Sequence, residues 1–139
     1  MPDASAIKEM FAGVAPRYDL LNRVLSLGID RAWRRRVVAS LELRPEHRVL
    51  DLCCGTGDLA LEIARWSSCT ACDFTWNMLT RARAKSRSAG RPVSLACADA
   101  LELPFRDDLF DRATIAFGIR NLESMTAGLS EIRRVLKPG

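Results

Sequence analysis

The chain has 139 residues, of which 48% are hydrophobic and 27% charged, and its formal net charge is +4. This composition fits one folded domain and excludes a disordered chain, which would contain fewer apolar residues. No apolar run approaches the ~18 residues that a membrane span requires. The small basic excess is weak support for nucleic-acid binding, which needs a clustered basic patch and a recognisable motif.

The cysteine and histidine contents indicate the redox state of the protein's compartment and whether a metal site is expected. The chain has five cysteines and one histidine, His47. An odd number of cysteines without a secretory signal predicts reduced thiols and a cytoplasmic protein. Cys69 and Cys72 have the spacing of a metal or redox pair, but within a strand their side chains point to opposite faces. We therefore expect buried packing for these thiols and no metal site.

The first 45 residues are expected to form a helical lid. Short helices are predicted over residues 4–12 and 17–27, and Asp30 can cap a third helix that runs to about Leu41. The third helix has an apolar face formed by Ile29, Trp33 and Val37. Its opposite face is basic and is formed by Arg31, Arg34 and Arg35.

The pattern after Pro45 changes to short apolar runs that alternate with helical segments. Strands are predicted at residues 49–54, 69–72, 93–97 and 112–117. Helices are predicted at residues 59–64, 76–87 and 125–136, the last with apolar Met125, Leu129, Ile132 and Leu136. Such alternation is typical of a parallel sheet with right-handed crossovers. Residues 46–139 are thus predicted to form an α/β core with a doubly wound, mostly parallel sheet.

Ligands of such sheets bind beyond the carboxyl ends of the strands, where the candidate residues lie. Gly55 and Gly57 form a turn after the first strand that is compatible with close approach of a ligand or with a tight turn alone. Asp73 ends the second strand, where a carboxylate can accept hydrogen bonds from ribose hydroxyls. Asp99 ends the third strand, where it can accept one from the amine of adenine. Together with Asp51, which precedes the turn, they predict an adenine nucleoside site.

The choice of nucleoside depends on charge. Gly55, Gly57 and Ala60 match the spacing of a dinucleotide-binding turn. Asp58, however, lies where a pyrophosphate would bind, and like charges ~4 Å apart repel by about 1–4 kcal/mol. S-adenosyl-L-methionine has no phosphate and carries a sulfonium and an ammonium group. The sequence therefore favours S-adenosyl-L-methionine, and an NAD-binding oxidoreductase domain is the alternative.

Four stretches resemble the ubiquinone/menaquinone C-methyltransferase family (UbiE type) of the class I methyltransferase fold. They are residues 14–22, 49–58, 98–105 and 117–121. The second stretch is shared by many methyltransferases, whereas the first and last are more specific to the quinone branch. The resemblance covers essentially the whole chain and implies a Rossmann-like fold. The chain departs from it in having Asp30 where a histidine is usual, and family members continue well beyond Gly139.

The resemblance also implies which residues bind the donor. It places Gly55, Thr56 and Gly57 at the methionine end, Asp73 at the ribose, and Asp99 with Ala100 at the adenine. The implied reaction is methylation of a ring carbon in a polyprenyl quinol, without a metal. The resemblance allows either a benzoquinol or a naphthoquinol as the acceptor. The Cys-Cys-Gly-Thr turn favours naphthoquinol, because it resembles the turn of menaquinone-type members.

The chemistry of that reaction predicts roles for four residues. An aromatic carbon is a weak nucleophile, and loss of a proton from the adjacent hydroxyl raises its electron density. Arg120 is expected to stabilise the resulting oxyanion, because guanidinium groups are poor bases. Asn121 would orient a water or the ring oxygen, and water, Asp19 or Tyr18 would take the proton. The alternative for Arg120 is a structural ion pair with Asp111 or Glu123.

The partners implied are a lipophilic quinol and no nucleic acid, since the Asn-Pro-Pro-Tyr sequence of many base methyltransferases is absent. The arginines at 34–36 fit a solvated helix face or, alternatively, peripheral contact with the inner face of the membrane. With a strand order of 3-2-1-4, the fourth strand would be an uncovered edge. We therefore expect a chain truncated after that strand and its helix, or one that pairs, for example as a homodimer. A non-catalytic donor-binding domain is a further alternative.

Overall fold

The computed structural model describes residues 29–115 and 122–138 of the chain. Its elements in chain order are α1 (Ile29–Ser40), β1 (Arg48–Leu52), α2 (Asp58–Ile63), β2 (Ser68–Asp73), α3 (Trp76–Ala89), β3 (Ser94–Cys97), β4 (Arg112–Ile115) and α4 (Met125–Val135). The helices predicted over 4–12 and 17–27 and the end of the fourth predicted strand lie outside the described residues. No helix in the described ranges is both long and apolar enough to span a membrane.

The four strands form one sheet in the order β3-β2-β1-β4, and all three strand pairs are parallel. This confirms the predicted α/β class and the strand order. In register, Asp51 of β1 lies between Ala71 of β2 and Thr114 of β4. Among the described strands, β3 and β4 are the edges. The central strands β1 and β2 consequently end side by side, which brings their carboxyl-terminal loops together.

The core has one hydrophobic cluster on each face of the sheet, because successive strand residues point to opposite faces. One cluster contains Val38, Val49, Leu59, Ala60, Ile63, Cys69 and Ala71. The other contains Leu50, Leu52, Cys72, Leu103, Phe110 and Val135. Full burial of a Val, Leu or Phe side chain contributes about 1.5–3 kcal/mol. The described part of the predicted lid shares this core through Val38, and the boundary at residue 45 stays a prediction.

Cys69 and Cys72 pack in the core as predicted, whereas Cys97 is exposed and Cys53 and Cys54 lie just beyond β1. Cys69 and Cys72 are both buried and belong to the two opposite clusters. All five cysteines are free thiols. Burial raises the pKa of Cys72 to about 12, so this thiol stays protonated at neutral pH. Among the described residues, no group of three or more His, Cys, Asp or Glu is arranged to hold a metal ion.

Helix α1 differs from its prediction in two respects. It already includes Ile29, so Asp30 lies within the helix and the prediction of an N-terminal cap there is wrong. The buried residue is Val38, whereas Trp33 is 37% exposed. The carboxyl-terminal half of α1 meets the core through Val38, and Arg112 Nε donates to the carbonyl oxygen of Leu41 just beyond the helix, at 3.1 Å.

The predicted apolar face of α4 meets the core only in the second half of the helix, where Ile132 and Leu136 pack against the second cluster. Gly128 and Val135 are buried, whereas Met125 and Leu129 are 48% and 47% exposed. A Cβ atom at Gly128 would lie 2.6 Å from Leu122 Cδ1, so a larger residue there requires the Leu122 side chain to move.

Candidate functional site

The turn after β1 depends on left-handed backbone conformations. Cys53, Gly55 and Gly57 have φ values of 53°, 57° and 88°. Gly57 is also the residue before α2, and a Cβ atom there would lie 3.0 Å from Ala82 Cβ on α3. Glycine at this position therefore serves two needs, positive φ and close helix approach. The predicted glycine turn is present at the carboxyl end of the sheet.

Asp73 joins this turn to the end of β2. Its Oδ2 atom accepts a hydrogen bond from the Gly55 backbone N–H at 2.9 Å, and its Oδ1 atom accepts one from the Thr75 N–H at 2.9 Å. Burial raises the pKa of Asp73, and the backbone N–H groups oppose that shift. Each carboxylate oxygen has two acceptor positions, so Asp73 retains capacity for ligand hydroxyl groups.

A cleft of about 90 Å³ lies at the carboxyl ends of β1, β2 and β3. Its described lining residues are Leu52, Cys53, Cys72, Asp73, Phe74, Ala98, Asp99, Ala100, Leu101, Leu122 and Glu123. The predicted ribose residue Asp73 and adenine residues Asp99 and Ala100 are therefore together. Three of these lining residues are acidic and none is lysine or arginine. The described walls thus favour a cationic ligand over an anionic one.

Asp99 is exposed and its carboxylate is oriented by the loop that follows. Its Oδ1 atom accepts a hydrogen bond from the Leu101 backbone N–H at 2.9 Å, and its carbonyl oxygen accepts one from the Glu102 N–H at 3.0 Å. Ala100, the next residue, is buried. The direction of the Asp99 carboxylate therefore depends on where Leu101 is held.

Asp51 does not line the cleft. It is 2% exposed, and its Oδ1 atom accepts a hydrogen bond from Thr114 Oγ1 at 2.8 Å across the β1–β4 pair. Its Oδ2 atom is buried without a hydrogen-bond partner. Burial raises the pKa of Asp51 to about 7. Asp51 therefore lies in the interior of the sheet. Its role in donor binding remains a prediction.

Lys85 on α3 is a residue of this site that the sequence analysis missed. Its Nζ atom donates hydrogen bonds to Thr56 Oγ1 at 2.9 Å and to Asp58 Oδ1 at 2.8 Å. Thr56 is buried and is absent from the cleft lining. Helical spacing offers a signal, because Lys85 follows Ala82, the residue packed on Gly57, by one turn.

The contact between Lys85 and Asp58 corrects the charge argument made from sequence. Alone, the Asp58 carboxylate would repel a pyrophosphate. The Lys85 ammonium offsets this charge. The preference for a cationic donor therefore rests on the acidic residues that line the cleft.

The family of the chain follows from comparison with known proteins. A sequence profile for the ubiE/COQ5 methyltransferase family matches residues 2–139. The chain belongs to this family. It is 50% identical over 140 residues to the ubiquinone/menaquinone biosynthesis C-methyltransferase UbiE of Geotalea daltonii, across 96% of this chain and 59% of that protein. It is 52% identical over 134 residues to the demethylmenaquinone methyltransferase of Thermus thermophilus, across 94% of this chain and 60% of that protein.

The comparisons confirm the resemblance found in the sequence. The chain spans about three-fifths of the length of these ubiE/COQ5 relatives. Among solved structures, a SAM-dependent methyltransferase from Aquifex aeolicus matches with a TM-score of 0.70 and 24% identity, over 76% of this chain and 58% of that chain. This similarity shows the Rossmann-like fold of the family.

The four predicted catalytic residues, Tyr18, Asp19, Arg120 and Asn121, lie outside the described residues. The alternative partners of Arg120 lie in the described ranges. Asp111 accepts hydrogen bonds from the Arg48 backbone N–H at 2.8 Å and from Lys137 Nζ at 3.1 Å, one on each carboxylate oxygen. A contact between Asp111 and Arg120 therefore stays an alternative prediction. Glu123, the other alternative, lines the cleft, and neither it nor Leu122 was predicted to do so.

Proposed function

We propose that this protein transfers a methyl group from S-adenosyl-L-methionine to a ring carbon of a polyprenyl quinol. Demethylmenaquinol is the favoured acceptor, and the corresponding benzoquinol of ubiquinone synthesis is the second. The observation that carries the proposal is the cleft at the strand ends, whose described lining includes three carboxylates and no lysine or arginine, in a chain of the ubiE/COQ5 family.

The described residues fit such a donor by their chemistry. Asp73 would accept hydrogen bonds from the ribose hydroxyls, and Asp99 with Ala100 would recognise the adenine. Gly55 and Gly57 would let the backbone approach the methionine end, and Thr56 would support that turn through Lys85. The bound donor supplies an electrophilic methyl group next to a positive sulfur, which the acidic walls would stabilise.

The residues proposed to act on the quinol acceptor lie outside the described ranges. Arg120 would stabilise the quinolate oxygen, because a guanidinium keeps its charge and donates several hydrogen bonds. Asn121 would orient a water or the ring oxygen, and Tyr18, Asp19 or water would take the hydroxyl proton. Support for these roles comes from the sequence resemblance.

Donor binding is tested by calorimetric titration of the wild-type protein with S-adenosyl-L-methionine and with NADH. We expect binding of the first alone, abolished by Asp73→Ala and retained in Glu46→Ala, which changes an exposed carboxyl outside the cleft. Binding of NADH alone would overturn the proposal in favour of an oxidoreductase domain.

Methyl transfer is tested with a labelled methyl donor and both quinols. We expect Arg120→Ala to keep donor affinity and to lower turnover. Donor binding without transfer to either quinol would support the alternative of a non-catalytic donor-binding domain. Loss of donor affinity in Arg120→Ala, with retention in Asp73→Ala, would show that the two roles are reversed.

We further propose that the protein is cytoplasmic and contacts the inner face of the membrane, where a polyprenyl quinol resides. Support comes from exposed Arg31, Arg35 and Arg36 on α1, which can face anionic headgroups. Binding to anionic liposomes should weaken with salt, and equal binding to neutral liposomes would contradict this contact. A homodimer, proposed from the edge position of β4, is tested by sedimentation of the wild-type protein.

A further inference from the structure

Two side chains of α4, Glu131 and Arg134, form a bidentate ion pair beside the core. Arg134 Nε donates to Glu131 Oε1 at 2.7 Å, and Arg134 Nη2 donates to Glu131 Oε2 at 3.0 Å. These hydrogen bonds are the main cause of the lowered pKa of Glu131, so the carboxylate stays ionised. A fork of two parallel hydrogen bonds fixes the orientation of both planar groups. Neither residue is among the described residues that line the cleft.

The ion pair holds the loop that precedes β4. Glu131 Oε2 accepts a hydrogen bond from the Leu103 backbone N–H at 2.7 Å, and Arg134 Nη2 donates one to the Leu103 carbonyl oxygen at 3.0 Å. Arg134 Nη1 donates to the Phe105 carbonyl oxygen and to Asp107 Oδ1, both at 2.8 Å. Both backbone polar groups of Leu103 are therefore satisfied by side chains of α4 instead of by another strand.

This loop begins at the nucleoside end of the cleft. Asp99, Ala100 and Leu101 line the cleft, and Leu103, two residues later, is buried in the cluster on the α4 side of the sheet. Because Asp99 Oδ1 accepts a hydrogen bond from the Leu101 N–H, a displacement at Leu103 would reach the Asp99 carboxylate through a short stretch of backbone. The position of Leu103 therefore bears on the geometry of the adenine site.

We propose that Glu131 and Arg134 are positioning residues for the nucleoside end of the methyl donor, an inference that rests on the proposed function. They hold Leu103 so that Asp99 and Ala100 keep the places from which an adenine is recognised. Lysine cannot take the role of Arg134, because a single ammonium group does not reproduce the planar fork that reaches Glu131 and two backbone carbonyls together.

The test compares Arg134→Lys and Glu131→Gln with Arg133→Lys, a matched change at the exposed neighbouring position. Calorimetry would measure the affinity for S-adenosyl-L-methionine and for 5′-methylthioadenosine, which keeps the nucleoside and lacks the amino-acid end. We expect Arg134→Lys to raise both dissociation constants by about tenfold, as for loss of a hydrogen bond to a charged group. Glu131→Gln should raise both by less, because glutamine can still accept from the Leu103 N–H.

Kinetics and hydrogen exchange separate positioning from a general loss of stability. The KM for the donor should rise with the dissociation constant, whereas the KM for the quinol and kcat at saturating donor should not change. Backbone amides of residues 101–107 should exchange faster in both variants than in the Arg133→Lys control. If Arg134→Lys does not fold, Glu131→Gln provides the same comparison.

Three outcomes would overturn the inference. Wild-type affinities in both variants would show that the ion pair does not position the site. Weaker binding of S-adenosyl-L-methionine with unchanged binding of 5′-methylthioadenosine would place the effect at the amino-acid end instead. Both of these outcomes leave the proposed function standing, whereas a wild-type protein that binds neither compound removes the proposed function and this inference together.

Discussion

Asp51 shows at the scale of one residue how burial changes a carboxyl group. The β1–β4 pair supplies one hydrogen bond, from Thr114, and leaves the second oxygen buried without a partner. Desolvation therefore outweighs the hydrogen bond and raises the pKa from 3.8 to about 7. Between those two values the folded protein binds more protons than the unfolded chain. The free energy of unfolding should consequently fall as the pH rises through this window and level off above it.

The change Asp51→Asn removes this titration while keeping the shape of the side chain. Above pH 7 the variant should be more stable than the wild type, by on the order of 1 kcal/mol for each unit of pKa difference removed. Its stability should also vary less between pH 4 and 7. Urea unfolding at several pH values measures both effects, with Asp108→Asn as the exposed control. A variant that is less stable than the wild type at pH 8 would refute this account.

Lys85 links the glycine turn to α3 through a single ammonium group. Replacement by methionine should remove the hydrogen bonds that Lys85 Nζ donates to Asp58 and to Thr56. Because the ion pair is partly exposed, we expect a loss of about 1 kcal/mol in unfolding free energy and a several-fold weaker donor affinity. Arg83→Met, at an exposed position on the same helix, is the control. Equal effects of the two changes on donor affinity would argue against a link between Lys85 and the turn.

At the scale of an element, Gly128 allows α4 to pack close to Leu122. A Cβ atom at Gly128 would lie 2.6 Å from Leu122 Cδ1 and 3.7 Å from Leu101 Cδ2, and both leucines line the cleft. The helix therefore packs directly on one wall of the site. Its exposed face carries Met125 and Leu129, so apolar spacing alone does not identify the face that is buried.

Gly128→Ala tests this packing against helix propensity. Alanine would favour a helix by about 1 kcal/mol, whereas overpacking costs about 1–3 kcal/mol. We expect a net loss of stability together with weaker donor binding, since Leu122 must move. Ser130→Ala, at an exposed position of the same helix, should be neutral or slightly stabilising. A gain of stability in Gly128→Ala, measured by urea unfolding, would show that Leu122 moves without cost.

At the scale of the whole molecule, the reactivity of the cysteine thiols measures how well the helices shield the sheet from solvent. Cys69 and Cys72 are buried in opposite clusters, and burial raises the pKa of Cys53 to about 12. Cys97 at the end of β3 is exposed. Reaction of a thiol requires both access and a thiolate, so the five groups should differ widely in rate.

A thiol reagent that absorbs on reaction should label Cys97 rapidly in the folded protein, the half-buried Cys53 and Cys54 more slowly, and the buried Cys69 and Cys72 only after unfolding in urea. Cys97→Ser should remove the rapid phase, and Cys69→Ser should leave it unchanged. Labelling of Cys69 or Cys72 in the folded protein would show that the sheet is less well covered than the structure indicates.

Local sequence patterns predicted the strands, their order and two carboxylates of the cleft, Asp73 and Asp99, at the ends of β2 and β3. Apolar runs and glycine turns are local signals, and parallel sheets place such turns along one edge. Asp73 and Asp99 could therefore be assigned to one site from spacing alone. The family was also evident from short motifs such as residues 98–105, because those motifs are contiguous in the chain.

The side chains that support that site, and their charge states, are set by contacts between residues far apart in the chain. Lys85 meets Asp58 27 positions away, Glu131 meets Leu103 28 positions away, and Thr114 meets Asp51 63 positions away. No local pattern predicts such contacts, because they depend on how helices pack on the sheet. The same packing sets the proton affinity of Asp51, since desolvation is a property of the folded molecule and not of the residue.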